Sequence, residues 1–374
     1  MNLVALRMLM GDTAKYLALV FGLAFSTMLV VQQGSVFTGL MRRTAARIEA
    51  IPQAQIWVMD PGTRFFDERR PIQDTALQQV RSIDGVEWAE RLFVGMGTAL
   101  LPDRTYASTM IMGVERGSKI GLPANLGGGH PDLIKQPDAV FFDHLNLPQF
   151  SIVKPGTVLE INERRARVVG IATSARTLLS NPVVFTTYER ALEYAPGERK
   201  RLTFVLVRTK EGQDPTAIAR KIERDTGLGA KTSDEFFWMT VRYYLQNTGI
   251  GINFGMTVML GVIVGMAVAG QTFYTFTIEN TKHFGALKAM GLSNAALIRM
   301  VLLQAGLVGL LGWGVGIGGA TLFGMNITDR SVVAFLMTPQ LLAFSLLITV
   351  ITVLLAGSVS IRRVLKIEPA IVFR

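Results

Sequence analysis

The chain has no cysteine, which excludes disulfides, a thiol nucleophile and cysteine-ligated zinc. That absence leaves the compartment open, because a domain of ordinary size builds a core without covalent staples. H-E-x-x-H, G-x-S-x-G and G-x4-G-K-[ST] are also missing. Zincin, α/β-hydrolase and phosphate-cradling chemistry therefore lack their usual frameworks. Charge is scarce: Asp, Glu, Lys and Arg make up 18% of 374 residues, against roughly 25% in an ordinary soluble protein. The scarcity is local. Met41 to Leu245 hold 28 Lys/Arg and 24 Asp/Glu, and the rest of the chain holds only 10 and 4. A polar domain is thus inserted into an apolar frame.

Four long apolar runs make up that frame: Tyr16–Thr38, about Ile250–Thr277, about Leu297–Phe323 and Pro339–Ser360. Each exceeds the roughly 20 residues that cross about 30 Å of hydrocarbon. Their hydrophobic centres contain no ionisable side chain, whereas ion-coupled transporters usually carry such groups at membrane depth. The polar residues in them are Gln32, Gln33, Asn253, Gln271 and Gln304. Asp12-Thr13, Thr338-Pro339 and Gly291 followed by Ser293 supply expected helix starts and a stop. The first run is longer than a signal-peptide core and no A-x-A site follows it, so it reads as an uncleaved anchor.

Lys and Arg near the span ends set the expected orientation. Arg7, Lys15, Lys282, Lys288, Arg299, Arg362, Arg363, Lys366 and Arg374 fall on one side, against Arg42, Arg43, Arg47, Arg242 and Arg330 on the other. Both termini are then cytoplasmic and the large domain faces outward, into the periplasm of a Gram-negative cell; the Arg42–Arg47 cluster dissents. The expected divisions are 1–40 (N-terminal segment and first span), 41–245 (outer domain), 246–278 (second span), 279–293 (cytoplasmic loop), 294–325 (third span), 326–338 (short outer loop), 339–360 (fourth span) and 361–374 (cytoplasmic tail).

The insert reads as α+β. Strands are expected at Ala54–Met59, Val86–Leu101, Thr105–Val114 and Leu202–Arg208, with a hairpin over Val158–Ile171 turning at Asn162-Glu163-Arg164. Helices are expected at Asp74–Ile83, Pro215–Arg224 and Asp234–Gln246, the last rising into the second span. Gly121–Gly129 is a loop. His130 and His144 lie near Asp132, Asp138 and Asp143 without metal-ligand spacing and read as surface residues; Ser151, Ser174 and Ser180 lack a hydrolase setting. Near-balanced charge in the insert argues against nucleic acid as a partner. The fold class expected is an α-helical membrane protein with four transmembrane helices plus an α+β extracytoplasmic domain inserted between helices 1 and 2.

Glycines mark the spans. Gly251/Gly255, Gly261/Gly265 and Gly312/Gly316 have GxxxG spacing, which serves either oligomer contacts or packing within the chain. Gly314, Gly316 and Gly319 imitate a dinucleotide fingerprint, but no strand precedes them. Between the second and third spans, Thr277–Asn294 reads TIENTKHFGALKAMGLSN. As a helix it places Glu279, Lys282, His283 and Ala286 on one face, and Phe284, Leu287 and Gly291 on another. Such a helix either docks on a partner or lies as an interfacial connector.

His283 to Gly291, H-F-G-A-L-K-A-M-G, resembles the coupling-helix motif E-[IF]-[GA]-x-L-[KR]-A-[LIM]-G of FtsX-like, MacB-type ABC transporter permeases. Ile361 to Ala370 resembles the family's R-x2-[RK]-[LI]-x-P-[AE] ending, with Arg362, Arg363, Lys366 and Pro369, and Leu6-Arg7-Met8-Leu9 also fits. His283 stands where the family has glutamate; Glu279 is one turn earlier. The stretch Trp57–Gly62 is most like the DevC branch. The resemblance implies a MacB-like periplasmic core domain. It implies that Glu279, Lys282, His283, Phe284, Gly285, Leu287, Lys288, Met290 and Gly291 couple to an ATPase. It also implies a homodimeric permease working by mechanotransmission, with ATP and Mg bound by a separate ABC ATPase subunit and no cofactor held by this chain. A periplasmic adaptor (membrane fusion protein) and an outer-membrane channel are implied for export of an amphipathic or lipid-like substrate. The alternatives within the family are a non-transporting transmitter controlling cell-wall hydrolases and a lipoprotein-extracting permease.

Overall fold

The computed structural model describes residues 8, 13–127, 129–143, 145, 147–178, 181–195, 201–328 and 333–365. The chain divides into two compact units, Met41–Thr248 and a second made of Met1–Leu40 with Gly249–Arg374. The first helix, α1 (Thr13–Thr44), carries the first apolar run and continues six residues past Thr38. Asp12, expected to cap it, lies outside the described residues.

In chain order the polar unit contains α2 (Ala46–Glu49), β1 (Ile56–Met59), β2 (Ile72–Gln73), α3 (Thr75–Arg81), β3 (Val86–Leu100), β4 (Tyr106–Val114), β5 (Ala139–Asp143), β6 (Val158–Ile161), β7 (Arg164–Ile171), β8 (Val183–Thr187), α4 (Tyr188–Tyr194), β9 (Arg201–Leu202), β10 (Phe204–Thr209), α5 (Pro215–Thr226), β11 (Gly229–Thr232) and α6 (Ser233–Asn247). Nine strands form one mixed sheet in the order β11-β1-β10-β3-β4-β8-β5-β7-β6. It also pairs Ala99 and Leu100 of β3 with Ile161 and Glu160 of β6. Six strands therefore close on themselves, leaving β10, β1 and β11 as a wing. Closure removes two sheet edges that would otherwise offer unpaired backbone groups. The parallel pairs β4–β8 and β5–β7 lie in the interior of the sheet, where β5 and β8 are buried along their whole length, Asp143, Thr186 and Thr187 included.

The Val158–Ile171 hairpin forms as its sequence indicates. Asn162 (φ 45°) and Glu163 (φ 64°) make a two-residue turn, while Arg164 already belongs to β7. Two successive positive φ values match the twist of the strands, and glycine suits the second position best. Asn162 is kept for its contacts: its Oδ1 accepts from the Thr98 N–H at 2.9 Å and its Nδ2 donates to the Tyr194 carbonyl at 2.7 Å. Gly97 makes room, because a Cβ there would lie 3.2 Å from Asn162 Nδ2 and 2.6 Å from Ile111 Cδ1. Glu163 makes no such contact among the bonds seen. Glu163→Gly should therefore stabilise the polar unit by about 1 kcal/mol, read as a rise in its denaturant midpoint.

Two expectations need correction. The strand expected over Leu202–Arg208 is two, β9 and β10, because the Thr203 hydroxyl accepts from Val94 N at 3.0 Å and reaches the Val94 carbonyl at 3.3 Å, in place of continuous pairing. The helix expected to rise from Asp234 into the second span stops at Asn247. Thr248 is extended (φ −121°, ψ 150°), so α6 is a separate element with its own capping box between Thr232 and Glu235.

The apolar unit continues with α7 (Ile250–Glu279), α8 (Thr281–Ala289), α9 (Asn294–Thr328) and α10 (Pro339–Leu365). Among the described residues, four helices are long and apolar enough to cross a membrane: those over Tyr16–Thr44, Ile250–Glu279, Asn294–Ile327 and Pro339–Arg362. Thr338 caps α10, its hydroxyl accepting from Leu341 N at 3.3 Å. Gly291 (φ 91°) ends α8 with the Leu292 N–H on the Leu287 carbonyl at 3.1 Å, and Ser293 starts α9 by accepting from Ala296 N at 3.3 Å.

The glycine pairs that could serve either purpose are spent within the chain where they are closest. A Cβ on Gly261 would meet Leu29 at 3.3 Å, and one on Gly265 would clash with Ser26. Gly312 faces Leu23 and Val20, and Gly316 faces Ala24, Thr27 and Met28, so both glycine faces pack on α1. Gly255, Gly314 and Gly318 face open space, and Gly251 sits half-buried in the first turn of α7.

Candidate functional site

Helix α8 is the short connector between the second and third long helices, and its two faces have different fates. Asn280 ends α7 and begins α8: its backbone is bent to φ −87°, ψ 10°, and its Nδ2 donates to the Phe276 carbonyl at 2.9 Å. Below this bend, Phe284 is 1% exposed and packs with Leu297, Met300, Val301 and Val364; Met8, Leu287, Leu292 and Ile361 border the cluster. Phe284 thus pins α8 to α9 and α10. Gly285 is buried beside it.

The rest of the connector is open. Glu279, Lys282, His283 and Gly291 are exposed, and Met290 is 71% exposed. Lys288 is half-buried and its Nζ donates to the Leu365 carbonyl at 3.1 Å, a cation at the helix end where carbonyls lack partners. The nine residues singled out therefore fall into three sets. Phe284, Gly285 and Leu287 anchor the helix; Lys288 ties it to the end of α10; Lys282, His283, Met290 and Gly291 are exposed, as is Glu279 at the end of α7. Arg362 is exposed on α10 and Arg363 lies in the same helix, while Lys366 and Pro369 lie outside the described residues.

Sequence reasoning missed a seam of hydroxyls inside the apolar unit. Thr27 and Thr349 share a hydrogen bond at 3.2 Å, Ser26 donates to the Gly261 carbonyl at 2.9 Å, and Trp313 Nε1 donates to Ser345 at 3.1 Å. The signal was the i, i+4, i+7 spacing of Ser345, Thr349 and Thr352, all buried. In hydrocarbon such hydroxyls join helices, at about 0.6 kcal/mol per bond on average. In the polar unit, Arg91 grips Glu115 with two bonds of 2.7 Å and lies 4.2 Å above the Tyr188 ring. The guanidinium holds the Glu115 carboxyl below the usual range. His130 accepts from Asp132 N at 3.3 Å; His144 and Ser180 lie outside the described residues. Among the described residues, no group of three or more His, Asp or Glu could hold a metal.

Four apolar helices, an inserted mixed α/β domain and an anchored helix between the second and third spans are the layout of a transporter permease. The family model for the MacB-like periplasmic core domain matches residues 17–225, and that for the FtsX-like permease C-terminal matches residues 255–369. The chain belongs to the FtsX-like, MacB-type ABC transporter permeases. It is similar to an uncharacterized ABC transporter permease of Methanocaldococcus jannaschii, 24% identical over 171 residues, covering 44% of this chain and 42% of that protein. It is also similar to a "probable syringafactin export ATP-binding/permease protein" of Pseudomonas syringae, 23% identical over 330 residues, covering 83% of this chain and 50% of that protein. The chain thus spans about half the length of the curated relatives it matches. Among solved structures, the periplasmic region of MacB from Actinobacillus actinomycetemcomitans aligns with 16% identity and a TM-score of 0.39, covering 54% of this chain and 96% of that one.

Proposed function

We propose that the chain is the non-catalytic membrane subunit of an ABC exporter, and that it works by mechanotransmission: hydrolysis in a separate ATPase moves the outer unit through α8. The observation that carries this is the division of α8 into a pinned face and an exposed one. A push on Lys282, His283 and Met290 is delivered through Phe284 to α9 and α10. The spans support the same reading, since their centres hold hydroxyls and amides but no ionisable relay. The inner membrane, cytoplasmic termini and a periplasmic outer unit belong to the same reading, with the basic residues near the span ends supporting the orientation.

The substrate in this reading is amphipathic or lipid-like, handed to a periplasmic adaptor and an outer-membrane channel. ATP and Mg belong to the ATPase, nucleic acid is not a partner, and two copies form the permease. Gly255, Gly314 and Gly318 supply small, open positions for the second copy. Likeness to the DevC branch rests on Trp57–Gly62, where Trp57 is buried against Phe66, Phe204 and Phe236. The test uses the cysteine-free background. Cysteines placed singly at Asp103 and Ser293 should label from opposite sides of intact membrane vesicles, and the full chain should co-purify with an ATPase whose turnover it raises. Labelling from one side, or no ATPase recovered, defeats the reading.

A further inference from the structure

Arg47 is in α2, three residues past the end of α1, and only 2% of it is exposed. Its Nη1 donates to Ser174 Oγ at 2.5 Å. Ser174 in turn donates its hydroxyl to Asp143 Oδ2 and its backbone N–H to the same oxygen at 2.9 Å. The other Asp143 oxygen accepts from Leu145 N at 2.8 Å. The guanidinium is therefore held end-on, through one nitrogen, by a carboxylate it reaches only through a serine. Its Nε and Nη2 are buried with no hydrogen-bond partner among the described residues.

Those two nitrogens are the side-on fork of arginine, the edge that fits a carboxylate with two parallel bonds. Leaving it empty in a dry site is costly, and the burial admits no external ligand. A second carboxylate, Asp67 in the loop between β1 and β2, is bonded to α6, against which α2 packs. Burial pushes the Arg47 guanidinium down to about 10, against the pull of Asp143 and, after it, of Asp67. At present Asp67 accepts from the Tyr244 hydroxyl at 2.9 Å. Tyr244 is on α6, and α2 packs against α6.

We propose that Arg47 is a positioning residue with two alternative carboxylate partners, and that exchanging Asp143–Ser174 for Asp67 locks α2 to α6. These two elements lead out of the first long helix and into the second. The exchange gives up one end-on contact to Ser174 for a two-bond contact at the empty fork, while Asp143 keeps its three donors, the Ser174 hydroxyl and N–H and the Leu145 N–H. Packed sites of this kind hold two discrete arrangements rather than a continuum. The proposal deepens the mechanical reading above, and its test leaves the ATPase out, so either can fail alone.

The experiment uses the full chain in lipid nanodiscs, spin-labelled at Ala50→Cys and Gln246→Cys, both exposed positions, with the distance between labels measured by pulsed electron resonance. Asp143→Asn should shift the ratio of two distance populations by about tenfold relative to the labelled parent. Ser174→Ala, which removes the Nη1 acceptor and keeps the carboxylates, should shift it the same way. Adding Asp67→Asn to either should abolish the second population. An unchanged distribution in Ser174→Ala, or a shift that survives Asp67→Asn, overturns the proposal. Thermal melting of each variant checks folding, and Ser174→Ala decides the matter if Asp143→Asn does not fold.

Discussion

Met290→Asp is expected to lower stimulation of the partner ATPase at least tenfold while leaving thermal unfolding of the chain unmoved. Met290 is 71% exposed at the end of α8, beyond the residues that anchor it. A carboxylate there meets water in the free chain, so folding is indifferent to it. In a docked complex the same position changes from a flexible apolar side chain to a desolvated charge. An unpaired charge in an interface costs several kcal/mol, and about 1.4 kcal/mol is already a factor of ten in association. Lys282→Glu should act in the same direction with a smaller effect, since an exposed rim charge contributes mainly to encounter.

Phe284→Ala is the counterpart with the opposite signature. Its ring is 1% exposed among Leu297, Met300, Val301 and Val364. Removing it should destabilise the apolar unit by about 3 kcal/mol or more, the usual cost of a buried phenylalanine. ATPase stimulation is then lost together with stability. If Met290→Asp also lowered the unfolding midpoint, the division of α8 into a holding face and a docking face would be wrong.

How much of this was legible in the sequence depends on how local each determinant is. Caps, turns and periodicity are local, and they were readable: Thr338 before Pro339, Gly291 then Ser293, and Asn162-Glu163 all act where they stand. The family motif at His283–Gly291 was readable too, yet it did not separate Phe284 and Gly285 from Lys282 and Met290. Exposure on α8 depends on α9 and α10, which lie outside any helical window. Closure of the sheet was not legible, because Ala99–Ile161 and Leu100–Glu160 pair across some sixty residues with no turn chemistry to announce them. Arg47 was misplaced for the same reason. Counted beside Arg42 and Arg43 as an orienting charge, it is buried by contacts with Ser174 that no local pattern records. Arg42 does behave as an exposed surface charge, bonded to Glu49 at 3.0 Å.

The glycines of α9 support the second large prediction. At 100° per residue, Gly312, Gly316 and Gly319 share one face, and Gly314 and Gly318 lie across from it. The structure gives the first face to α1. A Cβ on Gly316 would lie 2.6 Å from the Ala24 carbonyl oxygen and 3.0 Å from Met28 N. These are backbone atoms, which cannot turn aside as a side-chain tip would, so even alanine must push two helices apart. Apolar helices in lipid gain little from hiding apolar surface against one another, and close packing is much of what holds them. Separating α1 from α9 forfeits dispersion contacts along their whole interface. Gly316→Leu should therefore cost on the order of 3 kcal/mol, measured as a lower midpoint in detergent-titrated unfolding of the full chain. Gly314→Leu makes the same change in composition at a position with nothing within 4 Å. It should leave that midpoint in place and gain slightly in helix propensity. Equal losses in both variants would mean that the helix, rather than its seat on α1, resents the side chain; a loss confined to Gly316 assigns the cost to the contact. Should Gly314→Leu keep the chain folded but shift it from dimer to monomer in detergent, the open face of α9 is where a second copy sits.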